Sequence, residues 1–366
     1  MKKPIYVPML RAKAGEFVAL KNLSNRAKSG ILPLLDIPEN TSKAKVPKTD
    51  SEHLASIVES ISSIWKNRPL ILDAFSWSPN ASTDEGEHII TYLQSTLEAK
   101  GVEVSPVIGY DRWDDLDYQA AISEIVLPQG RHFCLRLDDD ALHDIIDIDY
   151  FEERVNEILD ATGKTANEFI ALIDLADLSR KPLVDVLEVA SKSIAALQSL
   201  NFTSIIISGS SIPESINLAV KEPNTIGLLP RKEMLIWRSL YQSFPQIVFG
   251  DYGVRSSRSS GEVIAPDANG KIRYTIEKRF MISRGHSMRT EDKGAQVHKL
   301  AEKIISSEYY LGSQFSWGDE IIEKCAQGKY KGNLTNWISI DTNHHIELVT
   351  LEITEFSKVK KNVEKV

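Results

Sequence analysis

The chain has 366 residues, 42% of them hydrophobic and 26% charged, with a formal net charge of −8; this composition is globular and argues against a disordered or fibrous chain. The charge is spread along the sequence, so no electrostatic footprint of general DNA or RNA binding is present. Its two cysteines, Cys134 and Cys325, argue against a disulfide framework or a cysteine-based zinc site, and a reducing cytoplasm is the expected setting.

From the N-terminus, two lysines precede a short apolar run broken by Pro4 and Pro8, too short for a signal-peptide core. No later stretch reaches the length of apolar sequence needed to span a bilayer, so no membrane association is expected. Short runs rich in Val, Ile and Leu then recur at residues 5–10, 31–37, 69–74, 104–109, 132–137, 169–175, 204–208 and 246–250. Patterns with apolar residues three and four apart lie between them, at 51–65, 86–100, 116–125, 149–162, 182–200 and 232–243. Continuous apolarity in a strand marks burial on both faces, the environment of a parallel sheet wrapped in helices. Eight strand–helix units predict a closed (β/α)8 TIM-like barrel over 1–252. A doubly wound open sheet is the alternative, but no Gly-rich nucleotide turn follows the first strand.

Beyond Tyr252 the alternation ends, and 253–366 is expected to form an α+β extension packing on the barrel. It contains a polar loop at 254–270, an extended segment at 271–285 and a helical stretch at 294–307. Residues 337–353 read as one or two strands, followed by a lysine-rich tail expected to fray.

Barrel active sites lie at the carboxyl ends of the strands. In order, these ends carry Arg11, Lys13 and Glu16; Asp36; Asp73; Tyr110, Asp111 and Arg112; Arg136 and Asp138; Asp174 and Asp177; Ser208 and Ser210; and Asp251 and Tyr252. In a closed barrel Asp36, Asp73, Asp174 and Asp251 would converge on one mouth. Such carboxylates can hold Mg²⁺ or Mn²⁺ or divide general acid and base roles, with Lys13, Arg112 and Arg136 holding an anion. Equally, an Asp ending a strand can simply cap the next helix.

Gly209–Ser211 could cradle phosphate after the seventh strand, or form an ordinary serine turn before a helix. Arg273, Tyr274, Arg279 and Arg284 suit recognition of an anion or a partner, but also an edge strand kept soluble by charge. His344 and His345, adjacent on an expected strand, would face opposite sides, and a solvent-facing pair is expected rather than a metal site.

With these residues in view, the chain resembles the Beta protein family, named for a protein of a temperate satellite phage and found in bacterial genomes and mobile genetic elements. YVPMLRAKAGEFVAL carries the family's Lys-x-Gly-Glu and Ala-Leu signature at Lys13, Gly15, Glu16, Ala19 and Leu20. LPLLDIP places Asp36 where Glu is commoner; FGDYGV supplies Asp251 and Tyr252; IRYT and ISRG supply Arg273, Tyr274, Arg284 and Gly285. Phe280 stands where a tryptophan is expected.

The resemblance implies a setting in phage-defence or toxin-neutralising (toxin–antitoxin) loci, with a protein partner from a neighbouring gene; no reaction is established for the family. It also brings the mouth residues and the arginine segment into one expected site. That site comprises Lys13, Glu16, Asp36, Asp73, Arg136, Asp174, Asp251, Tyr252, Arg273, Tyr274 and Arg284, and would bind a partner or a phosphate-containing ligand. A divalent-metal phosphoester hydrolase using the strand-end carboxylates, and a structural interaction module whose polar mouth is unused, are the alternatives.

Overall fold

The computed structural model describes residues 4–41, 48–258, 269–287 and 294–363. Most of the expected polar loop, at 259–268, and the last three residues of the lysine-rich tail lie outside the described residues.

Eight parallel strands close into a barrel: β1 (Tyr6–Arg11), β2 (Leu34–Asp36), β3 (Pro69–Asp73), β4 (Glu103–Gly109), β5 (Phe133–Leu137), β6 (Phe169–Asp177), β7 (Ser204–Ser210) and, after an excursion through β8 (Thr225–Pro230), β9 (Val248–Asp251). β9 returns to β1 with Tyr6 opposite Phe249 and Val7 opposite Gly250. Each of the eight apolar runs is one of these strands, and the barrel, not the open sheet, is the architecture.

The pleat explains why the runs are continuous. Val7, Met9, Leu34, Ile71, Val107, Cys134, Ile170, Leu172, Ile206 and Val248 fill the interior. Their neighbours, among them Tyr6, Leu35, Leu72, Leu135 and Phe249, face outward onto the helices. Both parities are therefore apolar, and burying each such side chain contributes about 1.5–3 kcal/mol. The surrounding helices carry their own start signals. Asp50–Trp65, for example, opens on a capping box in which Thr49 accepts from Glu52 N and Glu52 accepts from Thr49 N.

A second, three-stranded antiparallel sheet has the order β10–β11–β8, with β10 spanning Asn269–Ile276 and β11 spanning Arg279–Ser287. Its strand β8 comes from within the barrel sequence. Helices Gln296–Ile305 and Trp317–Ala326 cover one face of this sheet around Ile272, Tyr274 and Met281. On the other face Phe280 and Ile282 pack with Ile212, Val220 and Val254. Among the described residues no helix is long and apolar enough to cross a membrane.

The region 337–353 corrects the expectation of strands: it lies in a single helix, Leu334–Val363, of 30 residues, about 45 Å long. It runs between the barrel and the small sheet, touching helix Ala14–Lys21, β1, β10 and helix Trp317–Ala326. Over 339–350 every residue of the helix is buried, so the exposed polar stripe and the three-four spacing that reveal a surface helix are missing there. His344 and His345 are accordingly not a solvent-facing pair. Both are fully buried, about 100° apart around the helix axis.

Candidate functional site

The barrel mouth is built by carrying the inward parity of the strands one step past the apolar filling. Arg11 follows inward Met9, Asp36 follows Leu34, Asp73 follows Ile71, Arg136 follows Cys134 and Asp174 follows Leu172. Arg11, Asp36 and Asp73 are in register across β1, β2 and β3, so they form one polar rung directly above the core.

Arg136 is the hub of this layer. Its Nη1 donates to Asp73 at 2.6 Å, and its Nη2 and Nε donate to Asp174 Oδ2 at 2.6 and 3.1 Å. Tyr252 Oη donates to the same carboxylate at 2.6 Å and accepts from Arg136 Nη2 at 3.2 Å. Phe75 covers the guanidinium, 4.0 Å from its ring centroid. Asp73, Arg136 and Asp174 are all buried; such ions are tolerated only when their hydrogen bonds are made, as they are here.

Beyond Asp174, Ala176 adopts φ 51° and its N–H returns to Asp174 Oδ1 at 3.0 Å. This left-handed turn is unusual for a residue with a Cβ and shapes the rim.

Above the hub is a cavity of about 580 Å³. Its β9–β1 side is basic, with Arg11, Lys13, Arg255 and Arg258. Arg255 Nε lies 2.5 Å from Glu16 Oε1, and Arg258 Nε lies 3.3 Å from Asp177. The side formed by β2, β5 and β6 is acidic, with Asp36, Asp138 and Asp174. Thr342 of the C-terminal helix also lines the cavity.

Burial, reinforced by the charge of Asp73, pushes the Asp36 carboxyl up to about 6 against the pull of Arg136 and Arg11. Burial and Asp111 likewise bring Asp138 to about 6. Glu16 is also raised by burial, with Arg255 opposing.

Of the eleven residues expected at one site, Lys13, Glu16, Asp36, Arg136, Asp174 and Tyr252 line the cavity, and Asp73 supports it through Arg136. Asp251 does not converge with the other aspartates. It faces outward, accepting from Tyr6 Oη at 2.6 Å and Gly253 N at 2.9 Å, with His345 Nε2 at 2.9 Å.

The arginine segment also lies elsewhere. Arg273 N and Nη1 donate to Asp341 Oδ2 of the C-terminal helix at 3.0 and 3.1 Å. Tyr274 Oη donates to Asp319 at 2.7 Å, and its ring stacks on His344 at 3.9 Å. Arg284 Nη1 donates to the carbonyls of Val220, at 2.7 Å, and Lys221. These three side chains hold the small sheet to its neighbours. Arg279 is exposed at the hairpin turn.

Among the other strand-end residues, Tyr110 Oη donates to Asp144 at 3.0 Å, and Arg112 donates to the carbonyls of Ala74 and Phe75. The Gly209–Ser211 hydroxyls are engaged internally: Ser210 Oγ donates to Arg255 O at 2.8 Å, and Ser211 Oγ donates to Glu233 while accepting from Lys232 N. They form the ordinary turn.

Phe75, Arg255, Arg258 and Thr342 were not singled out from the sequence. Phe75 sits two residues past Asp73, where the inward parity continues, and the two arginines lie in the polar loop directly after β9. Thr342 was hidden by the strand reading of its helix.

Among the described residues no three or more His, Cys, Asp or Glu side chains are arranged to hold a metal ion. Asp73 and Asp174 instead turn toward one guanidinium.

No curated protein matches the chain. A family model described as Beta protein matches residues 6–350, from β1 into the C-terminal helix, and the chain therefore belongs to the Beta protein family.

Proposed function

We propose that the protein binds a phosphate-containing ligand at the barrel mouth and serves, in the cytoplasm, in a phage-defence or toxin-neutralising locus of the kind the family resemblance implies. The observation that carries the binding role is the division of charge around the cavity, with Arg11, Lys13, Arg255 and Arg258 on one side. Arginine forks suit phosphate oxygens, and the cavity volume falls in the range of about 300–1,000 Å³ common to small-molecule sites.

Phosphoester hydrolysis is the second reading. It is favoured by Asp36, whose pKa of about 6 suits a general acid or base near neutrality. A divalent-ion version is less well supported, because Asp73 and Asp174 are already committed to Arg136.

A thermal-shift screen against inorganic phosphate, phosphosugars and nucleotides, with and without Mg²⁺ or Mn²⁺, tests the proposal, since a ligand of the folded state raises Tm. A shift that is lost in Arg255→Ala is expected. No shift with any phosphate compound would refute small-molecule binding and direct the search to the product of a neighbouring gene.

A further inference from the structure

Resting on the phosphate-binding reading, we propose that the ligand is a nucleoside monophosphate with an amino-bearing base, its phosphate on the Arg255–Arg258 side and its base against Phe75, with Asp36 accepting a base N–H.

The strand order separates the two halves of the cavity. The basic groups Arg11, Lys13, Arg255 and Arg258 come from β1, the turn after it and the segment after β9, with Glu16 among them paired to Arg255, whereas Asp36, Asp138 and Asp174 come from β2, the residue after β5, and β6, with Arg136 among them. Orthophosphate would use only the basic half. A ligand spanning the mouth needs an anionic end and an end rich in hydrogen-bond donors, and an aminated nucleobase joined to a phosphate has both.

Phe75 supplies the second requirement, a flat apolar surface. It is 40% exposed although it lines the cavity. Its orientation is fixed from beneath by the Arg136 guanidinium, at 4.0 Å, and its backbone is held by Arg112, which donates to the Phe75 carbonyl. A ring held in this way is a preorganised stacking platform.

The neighbouring Asp36 retains acceptor capacity. Among the described residues its carboxylate accepts only long hydrogen bonds from Ser76 Oγ, at 3.2 and 3.4 Å, whereas a carboxylate offers about four lone-pair sites.

Isothermal titration of the full chain with AMP, CMP, GMP, UMP, ribose 5-phosphate and inorganic phosphate tests this. An amino-bearing nucleotide is expected to bind about ten-fold or more tightly than ribose 5-phosphate, the scale of one base–aromatic stack. Phe75→Leu, which keeps an apolar cover over Arg136, should remove most of that margin, and Phe75→Tyr should retain it. Asp36→Ala, which leaves no acceptor, should erase the preference over UMP. Ribose 5-phosphate binding as tightly as every nucleotide, or a margin that survives Phe75→Leu, would overturn the base subsite while leaving phosphate binding intact. Failure of every phosphate compound to bind would overturn both.

Discussion

Asp251 and Tyr252 are consecutive residues that grip opposite sides of the barrel wall. Tyr252 Oη points inward, 2.6 Å from Asp174, while Asp251 points outward to Tyr6 Oη at 2.6 Å and His345 Nε2 at 2.9 Å. The end of β9 thus ties the polar hub of the mouth to the C-terminal helix. His345 extends the tie, its Nδ1 lying 2.8 Å from Thr275 Oγ1 on β10. One dipeptide connects the barrel, the small sheet and the helix between them.

Asp251→Ala is therefore expected to act on stability rather than on ligand contact. Burial alone would raise this carboxyl, but the His345 charge and hydrogen bonds from His345 and Tyr6 outweigh it and hold the pKa below the ordinary range. Removing it strands three buried donors, Tyr6 Oη, Gly253 N and His345 Nε2, a loss of roughly 3–5 kcal/mol. Urea denaturation measures the loss; a midpoint equal to that of the wild type would show that the clasp contributes nothing.

Arg136 offers the complementary test inside the barrel. Arg136→Leu leaves Asp73 and Asp174 buried beside one another without their shared donor, and should also cost roughly 3–5 kcal/mol. Arg136→Lys is expected to rescue little, because a single ammonium cannot reproduce the planar fork that spans both carboxylates and stacks under Phe75. Lysine restoring full stability in denaturant titration would rule out the fork geometry as the cause.

Parity also explains which mouth residues are legible in the sequence. Asp36, Asp73 and Asp174 each stand two residues beyond an inward apolar side chain, so the pleat carried them to the mouth as expected. In β9 the inward series is Val248, Gly250 and Tyr252, interrupted by a glycine, and Phe249, which looks like core, faces the helices. Asp251 was consequently assigned to the wrong side.

The helix Leu334–Val363 was illegible for a related reason. Its polar residues Asp341, Asn343, His344, His345 and Glu347 are all buried and find partners on other elements, so no exposed polar stripe marks its period. Strand β8 left even less signal, being a short, largely exposed TIGLLP segment whose partner β11 is some fifty residues away. Such pairings depend on tertiary context more than on local sequence.

Asp36 predicts a pH dependence of binding. Its carboxyl takes up a proton near pH 6 because of burial and the Asp73 charge. If the ionised form accepts a base N–H, nucleotide affinity should be constant above about pH 7, weaken as pH falls through 6 and level off at the affinity of a form that lacks this hydrogen bond. Titration calorimetry across this range, compared with Asp36→Asn, isolates the effect. A wild-type profile matching that of the variant would exclude Asp36 as the acceptor.

Glu233 carries the opposite kind of pH signature, one of folding. Burial raises its carboxyl to about 7, with Arg231 and the Ser211 hydroxyl only partly offsetting the shift. In the unfolded chain the group ionises near about 4.3. Between these values the folded protein holds the extra proton, so the stabilisation from this group is complete below about pH 4 and is lost progressively up to about pH 7.

Glu233→Gln keeps an acceptor for Ser211 but abolishes the titration. Relative to the wild type it should gain stability at about pH 8, on the order of 1–3 kcal/mol, and gain little at about pH 4. Denaturant titrations of the two proteins at both pH values provide the check. Equal differences at the two pH values would mean that Glu233 is already ionised in the fold. Its neighbour Arg231, bonded at 2.8 Å to Glu352, would then be holding two buried carboxylates.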